Sequence, residues 1–471
     1  MIPIHTAQTV REAEESFFAQ QPGVDLMQLA AEAVAEAASK LLEGDRTSEG
    51  AVLVAVGPGN NGGDGLYAAA RLAGQGIPVS LWLTTGQAHP DGLHAAREAG
   101  CREVDALGAT ELLAQASLVI DAVLGIGGRP GLDSVVATFA EQAEALAIPV
   151  LSVDIPSGLD PDRGHVEQDG FRAARTVTFI ARKPCHVLQP AAGRCGVVQL
   201  EDLDVPVATR PVALQATPAD IARLWPVPGP TSHKYSRGVV GIDTGSTRYP
   251  GAALLGTIGA LHAGAGMIRF VGPEVAAQLV RTQLPSVTHG EGAVQAWLLG
   301  SGWGQTEANR DRLAAHLGVK TPAVIDADAL LSLPTVVPPN TLLTPHAGEM
   351  SRMLGVERAQ VEADPLTHAR ETAERWQAVV LLKGATQYVV EPGGRVQLAV
   401  PGPHWSAQAG SGDVLAGICA ALLAAGLSAA DAALLGASVQ AMAAKRRLGP
   451  WPPEVIAREV AAVVGGFDPV W

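Results

Sequence analysis

Cysteine is scarce in this chain: Cys101, Cys185, Cys195 and Cys419 are the whole set, and no CxxC spacing occurs. Four such residues cannot form a disulfide framework or a structural zinc site, so a reducing compartment is expected, with the cytoplasm as the default. Positive charge is also short, with 33 Lys and Arg against 47 Asp and Glu, a formal charge of −14, and no run of five like charges. The electrostatic footprint of a nucleic-acid or anionic-membrane binder is therefore missing, and an anionic ligand must be held by local backbone dipoles. The start MIPIHTAQTVREAEESFF has neither an apolar signal core nor a twin-arginine pair. The most membrane-like stretch, Val414 to Ala430, is 17 residues rich in Ala and Gly between Asp413 and Asp431. That is short of the ~20 strongly apolar residues of a span, and it reads as a buried helix. No GxxxxGK[ST] is present, which excludes a Walker-type phosphate loop.

What is there is ample apolar material: 471 residues, 47% hydrophobic and 17% charged, enough for two α/β cores. Short β-branched runs alternate with longer Ala-rich segments of helical period, the pattern of βαβ units around mostly parallel sheets. In the first half strands are expected at 51–56, 77–83, 117–123, 149–155, 176–181 and 197–200, and helices at 10–43, 64–76, 91–100 and 132–147. Six prolines crowd the stretch from Asp204 to Pro230, so a domain boundary is expected near 212–217. Strands then restart at 239–243, 267–271, 296–300, 323–327, 341–344 and 379–383, followed by a hairpin and long Ala/Leu helices. No internal repeat is visible, so the halves are expected to be different folds.

After the strand at 51–56 comes Gly57-Pro-Gly59-Asn60-Asn61-Gly62-Gly63-Asp64-Gly65, which satisfies GxGxxG in the required strand-to-helix context. The acidic residue that would bind a ribose hydroxyl ~20 residues later is absent, which weakens a hydride-transfer reading. Asn-Asn and Asp instead add oxygen donors of the kind hard cations prefer, although a plain helix-capping turn is the simpler alternative. Two more Gly/Asp loops fall at strand ends, one from Asp121 to Gly131 and one from Ser152 through Asp154 and Ser157 to Asp160. Three such loops define one crevice in a doubly wound sheet. Asp154, ending an apolar strand before Pro156, is placed for proton transfer more than for capping.

The runs VGPGNNGGDG, DAVLGIG and SVDIPSGLD resemble the YjeF amino-terminal family, epimerases of hydrated NADH and NADPH, over about residues 1–211. The resemblance implies that Asn60, Asn61, Gly62, Gly63 and Asp64, with Gly125, Ile126, Gly127, Gly128, Arg129, Pro130 and Gly131, hold the hydrated coenzyme. It also implies that Asn61, Asp121 and Ser157 coordinate K⁺, and that Asp154 is catalytic and contacts the reacting ring. The family usually reads Phe-Gly-Thr-Gly where this chain has Leu124-Gly-Ile-Gly.

In the second half Gly410-Ser411-Gly412-Asp413 opens the longest apolar helix. Small residues there leave several N–H groups aimed at one spot, an anion nest, with Asp413 placed to orient an attacking hydroxyl. Helix-start amides are expected to lower the Asp413 pKa, and an ordinary helix-start Asp is the alternative. His346 reads alone as a satisfied loop histidine and Glu349 as a helix-start carboxylate, whereas Lys383, at the end of an apolar strand, needs a reason for its charge.

HKYSRG, YPGAALL, DADAL, LTPHAGEM, LLKG and GSGDVLAG resemble the ribokinase-like YjeF carboxy-terminal family over about residues 218–471. These enzymes dehydrate the S form of hydrated NADH or NADPH with a nucleoside polyphosphate. The match implies that Ala253, Gly302, His346 and Asp413 bind the hydrate and that Asp413 is catalytic. It also implies that Lys383, Gly384, Ala385, Thr386 and Gln387, with Gly410, Ser411 and Gly412, bind the adenine nucleotide, ADP or ATP, with Mg²⁺. Departures are Gly402-Pro-His404-Trp405-Ser, where Gly-Asn-Pro-Gly is usual, and Gln387 in place of Thr. The expected architecture is therefore α/β in two domains, a Rossmann-like doubly wound α/β/α sandwich followed by a ribokinase-like α/β/α domain. Small-molecule substrates and a homo-oligomer are expected, with no nucleic-acid or membrane partner. The alternative left open is a ribokinase-like small-molecule kinase carrying a non-catalytic nucleotide-binding module at its amino end.

Overall fold

The computed structural model describes residues 1–43, 51–166, 170–317 and 321–467. The chain forms two compact units, Pro3–Val212 and Ala213–Trp471, and Met1–Ile2 cluster with the second.

In the first unit seven strands pair in the order Arg102–Val104, Val79–Leu83, Val52–Val56, Leu118–Ala122, Val150–Val153, Arg175–Phe179 and Val197–Glu201, all parallel. Val52–Val56 and Leu118–Ala122 are buried at every position, as strands covered on both faces by helices must be. The chain winds outward from Val52–Val56, then returns to its other side with Leu118–Ala122. The carboxyl ends of those two neighbours therefore open a crevice where the winding reverses. The segment expected as one helix over 10–43 is two, Ala7–Gln20 and Leu26–Glu43, because Pro22-Gly23 interrupts the helical backbone. The helix expected to start at 64 starts at Asn60, which puts the Asn-Asn-Gly-Gly-Asp run inside its opening turns. Strand Arg102–Val104 and helix Ala106–Leu113 are additions that the sequence did not single out.

In the second unit the sheet runs Ala213–Gln215, Val396–Leu398, Tyr388–Val390, Val379–Leu382, Thr341–Leu343, Ala323–Ile325, Ala296–Leu299, Val239–Asp243, Met267–Phe270 and Thr288–His289. Only the hairpin strand Tyr388–Val390 is antiparallel to its neighbours. Helix Ser411–Ala424 is buried from Val414 to Ala424 against the sheet and against helix Pro250–His262. No described helix is long and apolar enough to cross a membrane.

The two helices touch backbone to backbone. A Cβ on Gly417 would stand 2.0 Å from the Gly256 carbonyl oxygen, and one on Gly259 would stand 2.2 Å from that of Val414. Glycine is required here because no side chain fits, and this contact fixes where the helix start at Gly410 points. Gly417→Ala is expected to destabilise the second unit by about 2 kcal/mol, the scale of an overpacked core. A chemical-denaturation midpoint equal to wild type would contradict that contact.

Candidate functional site

A large cavity lies at the carboxyl end of the sheet in each unit. The first, about 560 Å³, receives helix Ala7–Gln20 through Arg11 and Glu14, the helix start through Asn60, Asn61 and Asp64, the turn Leu124–Gly128, and Asp154, Ile180 and Lys183. Its glycines are spacers: a Cβ on Gly57 would fall 1.9 Å from Val123 O, and one on Gly62 2.0 Å from Gly57 O. Gly62 and Gly63 are buried in packing and do not line the cavity. Arg129, Pro130 and Gly131 do not line it either; Arg129 pairs with Asp133 at 2.6 Å, and the Gly131 amide donates to Gly158 O at 2.8 Å.

Asp154 ends its strand with φ +66°, a left-handed backbone that a non-glycine residue adopts only when its surroundings impose it. They do. Its carboxylate accepts from Lys183 Nζ at 2.6 Å, Thr178 Oγ1 at 3.1 Å and the Ile126 amide at 2.9 Å, and His186 Nε2 lies 2.9 Å from its carbonyl oxygen. Burial alone would raise its pKa, but the Lys183 charge and these donors hold it below the ordinary carboxylate value. Lys183, 1% exposed, also donates to Thr178 Oγ1 at 2.8 Å and Phe179 O at 3.0 Å, which satisfies its three protons. Sequence reading missed Lys183 and His186; a charged residue directly after the strand's apolar run, as at Lys383, was the available signal.

Asp121 and Ser157 lie behind this cavity, not on its wall. Asp121 is fully buried and accepts from Ser152 Oγ and the Ser157 amide, both at 2.8 Å, and from Ser157 Oγ at 2.5 Å. Burial outweighs these neutral donors and raises its pKa to about 6. Ser157 Oγ in turn accepts from the Leu124 amide at 2.8 Å, pinning the turn that ends at Gly128.

The second cavity, about 700 Å³, is lined by Asp326, His346, Glu349, Lys383, Gly384, Ala385, Gln387, the loop Gly402–Ala409 apart from Trp405, and the helix start Gly410–Asp413. Gly410 takes φ +92°, which only glycine adopts freely, and the helix start lines the cavity; the Ser411 amide is taken by Gln408 O at 3.2 Å, which leaves those of Gly412 and Asp413 for a ligand. Lys383 Nζ lies 2.7 Å from Asp326 Oδ1 and 3.6 Å from Glu349 Oε2, and 3.2 Å from the place a Gly412 Cβ would occupy. Ser301 Oγ and Thr344 Oγ1 each donate to Asp326 at 2.8 Å. His346 caps helix Ala347–Leu354: its Nδ1 accepts from the Gly348 and Glu349 amides at 3.0 and 3.2 Å, while its own amide donates to Glu349 Oε2 at 2.7 Å. Burial lowers the His346 pKa, so the imidazole is neutral at pH 7.

One expectation is corrected here, and three of the expected binding residues lie off this cavity's wall. The Asp413 pKa is not lowered by the helix start; burial and the neighbouring Asp326 carboxylate push it up to about 7. Thr386 does not line the cavity although its neighbours do. Ala253 and Gly302 do not line it either. Ala253 is fully buried in helix Pro250–His262, and a Cβ on Gly302 would meet Ala252 Cβ at 2.8 Å and Tyr249 O at 3.0 Å. The roles of Asp326, Ser301 and the loop 402–409 were not legible from residue type alone.

A raised folded-state pKa means the native state binds a proton the unfolded state has lost, so Asp413 lowers stability as pH rises from about 4 to 7, and the full penalty remains above 7. Asp413→Asn is therefore expected to stabilise the protein by roughly 2 kcal/mol at pH 8, with the gain vanishing toward pH 4. Denaturation curves at both pH values check this, and an equal effect at both would contradict it.

A family model described as NAD(P)H-hydrate dehydratase matches residues 240–450, and one described as YjeF-related protein N-terminus matches residues 23–185. The chain is 39% identical over 443 residues to the bifunctional NAD(P)H-hydrate repair enzyme of Mycobacterium tuberculosis, covering 91% of this chain and 90% of the relative. It is 33% identical over 412 residues to the enzyme of the same name in Escherichia coli, covering 83% and 80%. The crystal structure of an ADP/ATP-dependent NAD(P)H-hydrate dehydratase from Bacillus subtilis, co-crystallised with ATP and Mg²⁺, matches with TM-score 0.51 and 26% identity over 54% of this chain and 98% of that one. With two family models in order and relatives matched nearly end to end, this chain belongs to the family of bifunctional NAD(P)H-hydrate repair enzymes.

Proposed function

We propose that the chain repairs hydrated NADH and NADPH in two steps. The first unit interconverts the R and S hydrates. The second dehydrates the S hydrate with ADP or ATP, giving AMP and phosphate when ADP is used. The observation that carries this reading is that the helix start Gly410–Gly412, Lys383 and Asp413 line one cavity. With a pKa of about 7, Asp413 is half ionised near neutrality and can both accept and return a proton. It takes the proton of the C6 hydroxyl as the hydroxyl oxygen attacks the terminal phosphorus, and the helix-start amides stabilise the phosphoryl charge. Phosphate, a better leaving group than hydroxide, then departs from C6 while C5 loses a proton, which restores the dihydropyridine.

Among the described residues no group of three His, Cys, Asp or Glu side chains is arranged to hold a metal. The oxygen donors present nevertheless suit two hard cations. Asp121, a buried carboxylate with only neutral partners, would hold K⁺ with Ser157 and Asn61, whose Oδ1 lies against Gly125. That ion would supply the positive charge the Asp121 site lacks. Mg²⁺ would enter the second cavity with the nucleotide phosphates and neutralise their charge. A cytoplasmic location and a homo-oligomer complete the reading.

Two variants separate the activities. Asp413→Ala is expected to lower S-hydrate dehydration at least ~100-fold with either nucleotide while epimerisation continues, and Asp154→Asn to do the reverse. Recovery of NADH absorbance from each epimer measures both, and equal losses in both reactions from either variant would contradict the division. Replacing K⁺ by a large organic cation is expected to slow epimerisation and leave dehydration unchanged; an unchanged epimerisation rate would remove K⁺ from the account.

A further inference from the structure

Asp64 lines the first cavity with Asp154, yet the two carboxyls are held in opposite ways. Asp154 accepts from Lys183, Thr178 and the Ile126 amide. No group among the described residues donates to the Asp64 carboxyl, which sits one turn inside helix Asn60–Gly74, beyond the free amides of the helix start. The charged groups that act on it are Asp154, Glu14 and Asp25, all acidic. The two cations lining this cavity direct protons elsewhere: Lys183 to Asp154, Thr178 and Phe179, and Arg11 Nη2 to Ile126 O at 2.7 Å. Asp64 is half-buried in the folded chain, and desolvation together with its acidic neighbours raises its pKa well above the ordinary value, which favours the protonated form. The cavity thus presents two carboxyl groups pushed in opposite directions, one on a helix toward the acid form and one at a strand end toward the carboxylate, the division of roles that acid–base catalysis requires.

Building on the epimerase reading of this unit, we propose that Asp64 is a second catalytic residue of the epimerisation, giving a proton on one face of C6 while Asp154 takes one on the other. From one epimer, Asp64 protonates the C6 hydroxyl as the C6–O bond breaks. Water leaves, and the N1 lone pair forms a C6=N1 iminium. A solvent water then adds to the other face of C6, and Asp154 takes its extra proton. The substrate's composition is unchanged, one proton has moved from Asp64 to Asp154, and one solvent oxygen has replaced the original. The opposite epimer reacts by the same steps in reverse, which returns the proton to Asp64.

The test uses the full chain and R hydrate in H₂¹⁸O without nucleotide, with dehydration of S hydrate measured alongside. Wild type is expected to place one labelled oxygen in the product per conversion. Asp64→Asn is expected to lower kcat for epimerisation at least ~100-fold with KM little changed, to abolish the loss of rate at alkaline pH, and to leave S dehydration intact. Asp64→Glu, which keeps an acid at this place, is expected to recover most of that loss. Retention of the original oxygen by wild type, near-wild-type epimerisation by Asp64→Asn, or equal losses in both variants would overturn the proposal. Wild type that leaves R hydrate at its uncatalysed rate would instead defeat the underlying epimerase reading.

Discussion

In each unit a single lysine, emerging where an apolar strand ends, sets the charge state of the carboxylates around it. Lys183 has one carboxylate partner, Asp154, and holds it ionised. Lys383 faces Asp326 and Glu349 directly and Asp413 at longer range. One ammonium cannot balance three carboxylates in a poorly solvated cleft, and the one without an ion pair, Asp413, rises to about 7. The same chemical pairing therefore yields two different tools, a carboxylate held ionised at rest in the first cavity and a neutral-pH proton carrier in the second. Buried ion pairs add little net stability, so tuning of protonation is the better reason for their presence.

The backbone does the rest. The second cavity has Lys383 and Arg358 on its wall, but both are paired with carboxylates, Lys383 with Asp326 and Arg358 with Glu362. Helix starts supply the donors, and glycines supply the geometry. Gly410 points the amides of its helix through a left-handed turn. Gly57 and Gly62 let the first crevice close so tightly that a methyl group would collide with a carbonyl oxygen. Of the non-glycine residues with positive φ, Asp154 and Ile180 line the first cavity and Ala327 the second.

The alternation of β-branched and Ala-rich segments made the strands and the doubly wound arrangement readable, because burial on both faces leaves a continuous apolar signature at 52–56 or 118–122. Gly-Ser-Gly-Asp and the three Gly/Asp loops were readable because few other residues permit those turns. Contacts between distant segments were not. Nothing near Lys183 in the sequence points to Asp154, 29 positions away, and Ser301 meets Asp326 only after folding. The sign of the Asp413 shift was misjudged for the same reason: helix-start amides are local and visible, whereas burial and the Asp326 carboxylate come from tertiary structure. Ala253 and Gly302 belong to a neighbouring packed corner and not to the cavity wall, a distinction that residue type does not carry.

The lysine-to-carboxylate ratio is tested most directly by the pH dependence of kcat/KM for S-hydrate dehydration in wild type and in Lys383→Gln. With the lysine present, activity should fall away on the acid side with a midpoint close to 7. Without it, the midpoint should move upward by about one unit or more, because repulsion among the carboxylates is no longer opposed. An acid limb near pH 4, or one that stays in place when Lys383 is removed, would contradict the account.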